Sequence, residues 1–158
     1  MTVELRAARD GDAEAVGTIW AAAWRDGHLG HVPDELVAVR AQETFLSRAA
    51  ERVADTTVAE VDGVVAGFIM VHRDEVEQVF VDARHRGSGV AAALLDEAER
   101  QVAADGHPRA WLAVVEGNAR ARRFYERAGW RDDGPFQYAA RHGDTSIPVP
   151  CRRYVKEL

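Results

Sequence analysis

The chain has 158 residues, 47% of them hydrophobic and 29% charged, which fits one globular domain with a core of its own and excludes a disordered polymer. Its net charge of −6 argues against a nucleic-acid binder, which normally presents a basic face, and no window offers the roughly 20 apolar residues that span a bilayer. Cys151 is the only cysteine, so an intramolecular disulfide is excluded, a thiolate zinc site is not expected, and a reducing, cytoplasmic setting fits.

The opening residues, MTVELRAARDGDAEAV, are acidic early and lack an apolar stretch, so they do not read as a signal peptide. Val3 and Leu5 alternate with polar neighbours and predict a first strand. Asp10 to Ala15 is acidic and alanine-rich, a good helix opening. Ala13, Val16, Ile19, Trp20 and Ala23 then recur at helical spacing. Arg25 to Pro33 carries two glycines and a proline and predicts a loop. Leu36 through Ala50 reads as one helix.

Thr56 to Val61 predicts a strand, Asp62-Gly63 a tight hairpin turn, and Val64 to Val71 the returning strand. His72-Arg73-Asp74 turns again, and Glu75 to Val81 forms a third strand. Ser88 to Ala103 is a helix with Ala91, Leu94, Leu95, Ala98 and Val102 on one side. Ala110 to Val115 is a short apolar strand. Asn118 to Ala128 is a compact helix ended by Gly129. Two more strands follow Trp130, the last near Ile147 to Val155. An antiparallel meander feeding a crossover helix predicts an α/β fold: a mixed, mostly antiparallel sheet of about seven strands with helices on its faces.

The sharpest local signal is Glu77 to Ala93, EQVFVDARHRGSGVAAA. A strand ends near Val81, and Arg86-Gly87-Ser88-Gly89 then runs into a helix. Glycines let the backbone approach a ligand. Free amides at the helix start favour an anion such as a pyrophosphate, and Arg84 and Arg86 add charge. A nucleotide-triphosphate loop does not fit, because its Gly-Lys-Ser/Thr element is missing. Residues 87 to 92 satisfy the dinucleotide fingerprint formally, yet Asp82 to Arg86 separate strand from glycine and a meander precedes them. A plain turn is the remaining reading.

Arg86-Gly87-Ser88-Gly89-Val90-Ala91, preceded by Val79-Phe80-Val81, resembles the Q/R-x-x-G-x-G/A element of the GCN5-related N-acetyltransferase superfamily. Asn118 to Trp130, NARARRFYERAGW, resembles that family's N-x-x-A-x-x-F-Y-E-x-x-G-F/W element. Both occur in order and at the family's spacing, and the terminal Arg153 to Leu158 looks like the last strand of many members.

The resemblance implies a V-shaped splay between the third meander strand and the strand after the long helix, with acetyl-CoA lying in it. It implies that the backbone of Val79, Phe80 and Val81 pairs with the pantetheine arm. The amides of Arg86, Gly87, Ser88, Gly89, Val90 and Ala91 would hold the pyrophosphate. Asn118 would reach the pantetheine or cap its helix. Tyr125 would sit near the thioester sulfur as general acid, or serve only as a packing aromatic. Glu75 and Glu77 are candidate bases for the amine; Glu75, Glu77, Val79 and Val81 should share one side of a regular strand.

The implied activity is transfer of an acetyl group to a primary amine, with a small-molecule or peptide acceptor, by direct attack rather than through Cys151, which reads as packing. Trp20 to Leu36 would wall the acceptor site, with Trp24 and His28 as candidate contacts and Pro135 to Ile147 opposite. Acidic residues near the opening would suit a cationic amine. His28 and His31 have no acidic or cysteine partner in the pattern, so no metal is expected. The alternative is a catalytically weak acyl-CoA-binding sensor or interaction domain. A homodimer through the final strand or the Trp130 region is a further expectation.

Overall fold

The computed structural model describes residues 2–158. Seven strands form one sheet: β1 (Val3–Ala7), β2 (Thr56–Val61), β3 (Val64–His72), β4 (Glu75–Val81), β5 (Arg109–Val115), β6 (Arg131–His142) and β7 (Thr145–Glu157). Five helices join them: α1 (Ala13–His28), α2 (Asp34–Val39), α3 (Gln42–Glu51), α4 (Val90–Ala104) and α5 (Ala119–Arg127). The spatial order is β1-β2-β3-β4-β5-β7-β6. Every neighbouring pair is antiparallel except β4 and β5, which α4 links as a parallel crossover.

Two apolar cores lie on opposite faces of this sheet. Trp20, Trp24, Leu36 and Phe45 from α1, α2 and α3 pack on Phe68 and Met70 of β3 and on Val149 and Cys151 of β7. On the other face Val90, Leu94, Leu95, Ala98 and Val102 of α4 and Tyr125 of α5 pack on Ile69, Val76 and Leu112. The helical periodicity of α4 thus points its apolar stripe at one layer of sheet residues, the alternate set to those that face α1.

The mixed, mostly antiparallel seven-stranded sheet and the succession of elements along the chain follow the expectation from sequence, but three local readings need correction. First, α1 runs on to His28, through residues expected to form a loop. Gly27 faces Asn118 so closely that a Cβ there would lie 2.7 Å from the Asn118 Nδ2. The glycine marks a close approach within the helix, and the chain turns only at Gly30, where φ is 83°. Second, the helix expected over Leu36 to Ala50 is two. Ala41 adopts an extended ψ of 161° between α2 and α3, the Thr44 hydroxyl donates to the Val39 carbonyl, and the preceding Arg40 is drawn to the Arg141 carbonyl. Third, α4 begins at Val90, because Gly89 at φ 89° is its N-cap.

Pro148 and Pro150 lie within β7. They fall where β7 pairs with β6 alone, since β5 joins β7 only from Cys151 onward. Proline's missing donor is tolerated on such an open edge.

Candidate active site

The site arises where the sheet comes apart. Between β4 and β5 a single register pair remains, Glu75 with Trp111, closed by the Trp111 amide donating to the Asp74 carbonyl at 3.0 Å. Beyond it the strands diverge, so one backbone edge of Val76 to Val81 faces a gap in place of a strand. A cleft of about 1490 Å³ runs through that gap. Unpaired strand edges accept extended ligands through main-chain hydrogen bonds, and the segment Val79-Phe80-Val81 lines this one.

A bulge fixes where the carboxylates of β4 point. Met70 pairs with Gln78, but the next residue of β3, Val71, pairs with Val76. Glu77 is therefore the extra residue, and the side-chain alternation shifts there. Val79 and Val81 pack on the α4 face, whereas Glu75 reaches Tyr138 and Glu77 reaches Arg52, both from the opposite face. The expectation that all four share one side fails for this reason.

The two carboxylates differ sharply. Glu75 accepts a hydrogen bond from the Tyr138 hydroxyl at 2.7 Å. Burial pushes its carboxyl above the usual range, against the pull of that bond and with help from Glu77 and Asp74. Glu77 instead forms an ion pair with Arg52 at 2.9 Å.

At the other end of the cleft, Gly87 and Gly89 both take left-handed φ values, 75° and 89°. A side chain is strained there, and because Gly89 caps α4 without a side-chain acceptor, the first amides of the helix, from Val90 onward, have no partner within it. The Ser88 hydroxyl donates to the His85 carbonyl, which holds the loop closed on itself, and Val90 buries its side chain under α4, so only their backbone amides are available. The loop's arginines carry their own counter-ions: Arg84 binds Asp82 at 2.8 Å and Arg86 binds Asp26 of α1 at 2.7 Å. Both pairs are solvent-exposed on the arginine side, Arg84 more so than Arg86.

Asn118 caps α5, its Oδ1 accepting from the Ala121 amide at 3.2 Å, while its Nδ2 lies beside Gly27. Two turns on, Tyr125 is buried among Phe124, Trp130 and Tyr154 and also lines the cleft. Burial alone pushes its phenol well up, so it stays protonated. Trp24 is both core and cleft wall: it packs on Phe45 at 5.7 Å between ring centroids and stacks on His28 at 4.7 Å. The His28 Nδ1–H donates to the Trp24 carbonyl at 2.8 Å, and burial pushes the ring down to about 4, leaving a neutral imidazole with its Nε2 as acceptor. Cys151 is buried, its thiol pushed up to about 11. Among the described residues no group of three or more His, Cys, Asp or Glu is placed to hold a metal.

The glycine loop, the splayed strands and the capped α5 occur together in a known family, and residues 14–130 match the model of the acetyltransferase (GNAT) family. The chain belongs to that family. An uncharacterized N-acetyltransferase of Mycobacterium tuberculosis strain H37Rv is 32% identical over 95 residues, 56% of this chain and 61% of the relative. The fold of this GNAT member is shared by a GCN5-related N-acetyltransferase from Rhodopseudomonas palustris, at a TM-score of 0.77 and 20% identity over 100% of this chain and 97% of that one. It is shared too by the PaiA N-acetyltransferase from Thermoplasma acidophilum, solved with coenzyme A, at a TM-score of 0.74 and 18% identity over the whole of both chains.

Residues that the sequence reading passed over complete the site. Trp111 donates its Nε1–H to Asp74 and carries Arg153 on its ring face at 4.4 Å. Arg48 lies over Trp20 at 4.4 Å. Arg40, Arg48 and Arg52 line the cleft with them. No motif spacing marks these arginines: Arg48 and Arg52 lie a turn apart at the end of α3, and Arg40 and Arg153 join them only in the fold.

Proposed function

We propose that this protein is an N-acetyltransferase that moves an acetyl group from acetyl-CoA to a primary amine by direct attack in a ternary complex. The observation that carries the reading is the parting of β4 from β5 after Glu75, with the glycine loop at one end of the gap and a half-buried carboxylate at the other. The residues fit the donor: amides at Gly87 to Ala91 suit a diphosphate, and the open edge of Val79 to Val81 suits the amides of a pantetheine arm. Arg86 is held by an exposed pair with Asp26; such pairs contribute little, so the guanidinium is free to exchange its partner for a phosphate.

In this reading Glu75 takes the proton of the incoming amine, directly or through water. A carboxylate with a raised pKa is better matched to that task than an ordinary one. Glu77 is instead held in its ion pair with Arg52. The amine nitrogen bonds to the thioester carbonyl carbon, and the amide of Val81, on the strand edge that β3 leaves open, faces the developing oxyanion, whereas Phe80 is directed at β3. The carbon–sulfur bond breaks, and Tyr125 gives its hydroxyl proton to the departing sulfur. Holding the two reactants in line through the sheet supplies the remaining advantage. Cys151, buried as a protonated thiol, is a poor nucleophile, which favours direct transfer.

Calorimetry with acetyl-CoA and desulfo-CoA, followed by free-thiol detection across a panel of primary amines, tests this. Binding near one equivalent together with amine-dependent thiol release supports the transferase. Binding without release from any amine points to the sensor domain instead, and no binding to either ligand overturns both.

A further inference from the structure

Charge is distributed unevenly between the two ends of the cleft. Toward the α4 face, the arginines of the glycine loop pair with Asp82 and Asp26. Toward the α1 and α3 face, three arginines that line the same cleft have no carboxylate partner among the described residues. Arg40 is only 5% exposed, and its guanidinium makes one hydrogen bond, from Nη2 to the Arg141 carbonyl. Arg48 rests on the Trp20 ring, and Arg153 is sandwiched against Trp111 and Phe136 at 4.4 and 4.6 Å. A guanidinium has five donors, and burying one without an anion costs stability.

Nearby carboxylates do not resolve the imbalance. Glu77 is bonded to Arg52 and Glu75 to Tyr138. Burial, with repulsion from Arg40 and Arg52, outweighs the attraction of Glu77 and pushes Arg48 down to about 10. Arg40 is buried and Arg48 and Arg153 are half-buried on the wall of the open cleft, so an anion entering the cleft meets guanidinium groups that no carboxylate already neutralises. Guanidinium groups on fixed aromatic platforms suit planar or tetrahedral oxyanions in particular.

We propose that the acceptor amine carries an anionic oxyacid group, a carboxylate or a phosphonate, which Arg40 and Arg48 bind while its amine faces Glu75. Arg153, on the Trp111 and Phe136 side of the same space, limits the reach of the acceptor and adds a further positive charge. The assignment rests on the transferase reading for the role of Glu75, but the anion site itself stands on the unpaired arginines. It reverses the expectation that an acidic opening would draw a cationic amine.

Calorimetric titration of the protein saturated with desulfo-CoA tests the proposal without requiring turnover. The probes are β-alanine, 2-aminoethylphosphonate, ethanolamine and 1,3-diaminopropane, which share a primary amine and differ in the second group. At least one of the two anionic probes should bind roughly tenfold or more tightly than the neutral and cationic ones, and the preferred one distinguishes carboxylate from phosphonate. Arg48→Gln should remove that preference while leaving desulfo-CoA binding within about twofold. Arg40→Gln should do the same; if its loss of the Arg141 contact unfolds the protein, Arg48→Gln decides alone. Equal binding of all four probes, or a preference for the diamine, overturns the proposal, as does an anion preference that survives Arg48→Gln. Anion-selective binding with no thiol release from acetyl-CoA would support the anion site and reject the transferase reading.

Discussion

Replacing His28 with glutamine should flatten the acid side of the stability profile. His28 is neutral in the folded protein because burial outweighs the pull of the Trp24 carbonyl, and Arg40 and His31 push in the same direction as burial. Its ring falls from 6.5 to about 4. The folded pKa is depressed, so the unfolded chain binds a proton that the native state refuses throughout that window. Stability from this group is complete above about pH 6.5 and is lost as pH falls toward about 4, at up to about 1.4 kcal/mol per pH unit. The whole window corresponds to about 3 kcal/mol. From about pH 7.5 down to about pH 5 the loss is about 2 kcal/mol, since only the part below 6.5 counts. Glutamine does not titrate and retains an N–H for the Trp24 carbonyl. Urea unfolding of both proteins across that range reads the difference directly. Asp12, Asp82 and Asp132 also lose native ion pairs or hydrogen bonds in acid, but they are common to both proteins and cancel. Should wild type and His28→Gln lose the same stability to within about 0.5 kcal/mol, the neutral buried histidine is wrong.

Three further predictions concern the reaction and its scaffold. Tyr138→Phe removes a donor that favours ionised Glu75, so the acid limb of kcat/KM should move to higher pH, while Glu75→Gln abolishes that limb and Glu77→Gln leaves it; an unmoved limb in Tyr138→Phe rejects Glu75 as the base. Tyr125→Phe should lower turnover by about a hundredfold with acetyl-CoA affinity nearly constant, and turnover within about twofold of wild type in stopped-flow assays would reduce Tyr125 to packing. Asn118→Ala removes the cap of α5 and should cost about 1 kcal/mol, seen as a melting point lower by about 2–4 °C; an unchanged melting point would show that the cap contributes nothing.

The pattern of apolar residues and turn signals was enough to read all seven strands and the two helices that flank the donor side. Alternation in β2 to β4, the Asp62-Gly63 turn and the stripe of α4 are local properties, set by which side chains must leave water at a period of two or 3.6. The glycine loop was legible for the same reason, since left-handed φ demands glycine at particular places, while the Asn118 cap was one of two roles that the family resemblance implied.

Where sequence reading stopped, two elements had to meet before the residue had a meaning. Gly27 signals a loop until α1 is seen lying against Asn118. The break at Arg40 carries no glycine or proline and follows from a contact with Arg141, 101 positions away. Glu75 and Glu77 look equivalent along a strand, and only the register shift opposite Met70 and Val71, with Tyr138 and Arg52 arriving from elsewhere, makes one a half-buried carboxylate and the other an ion pair. Arg40, Arg48 and Arg153 are ordinary surface residues by composition. Their unpaired charge appears only when β7, which carries Arg153, closes with the neighbouring α2 and α3 segments around one cleft, because electrostatic compensation depends on distance in space, which periodicity along the chain does not encode.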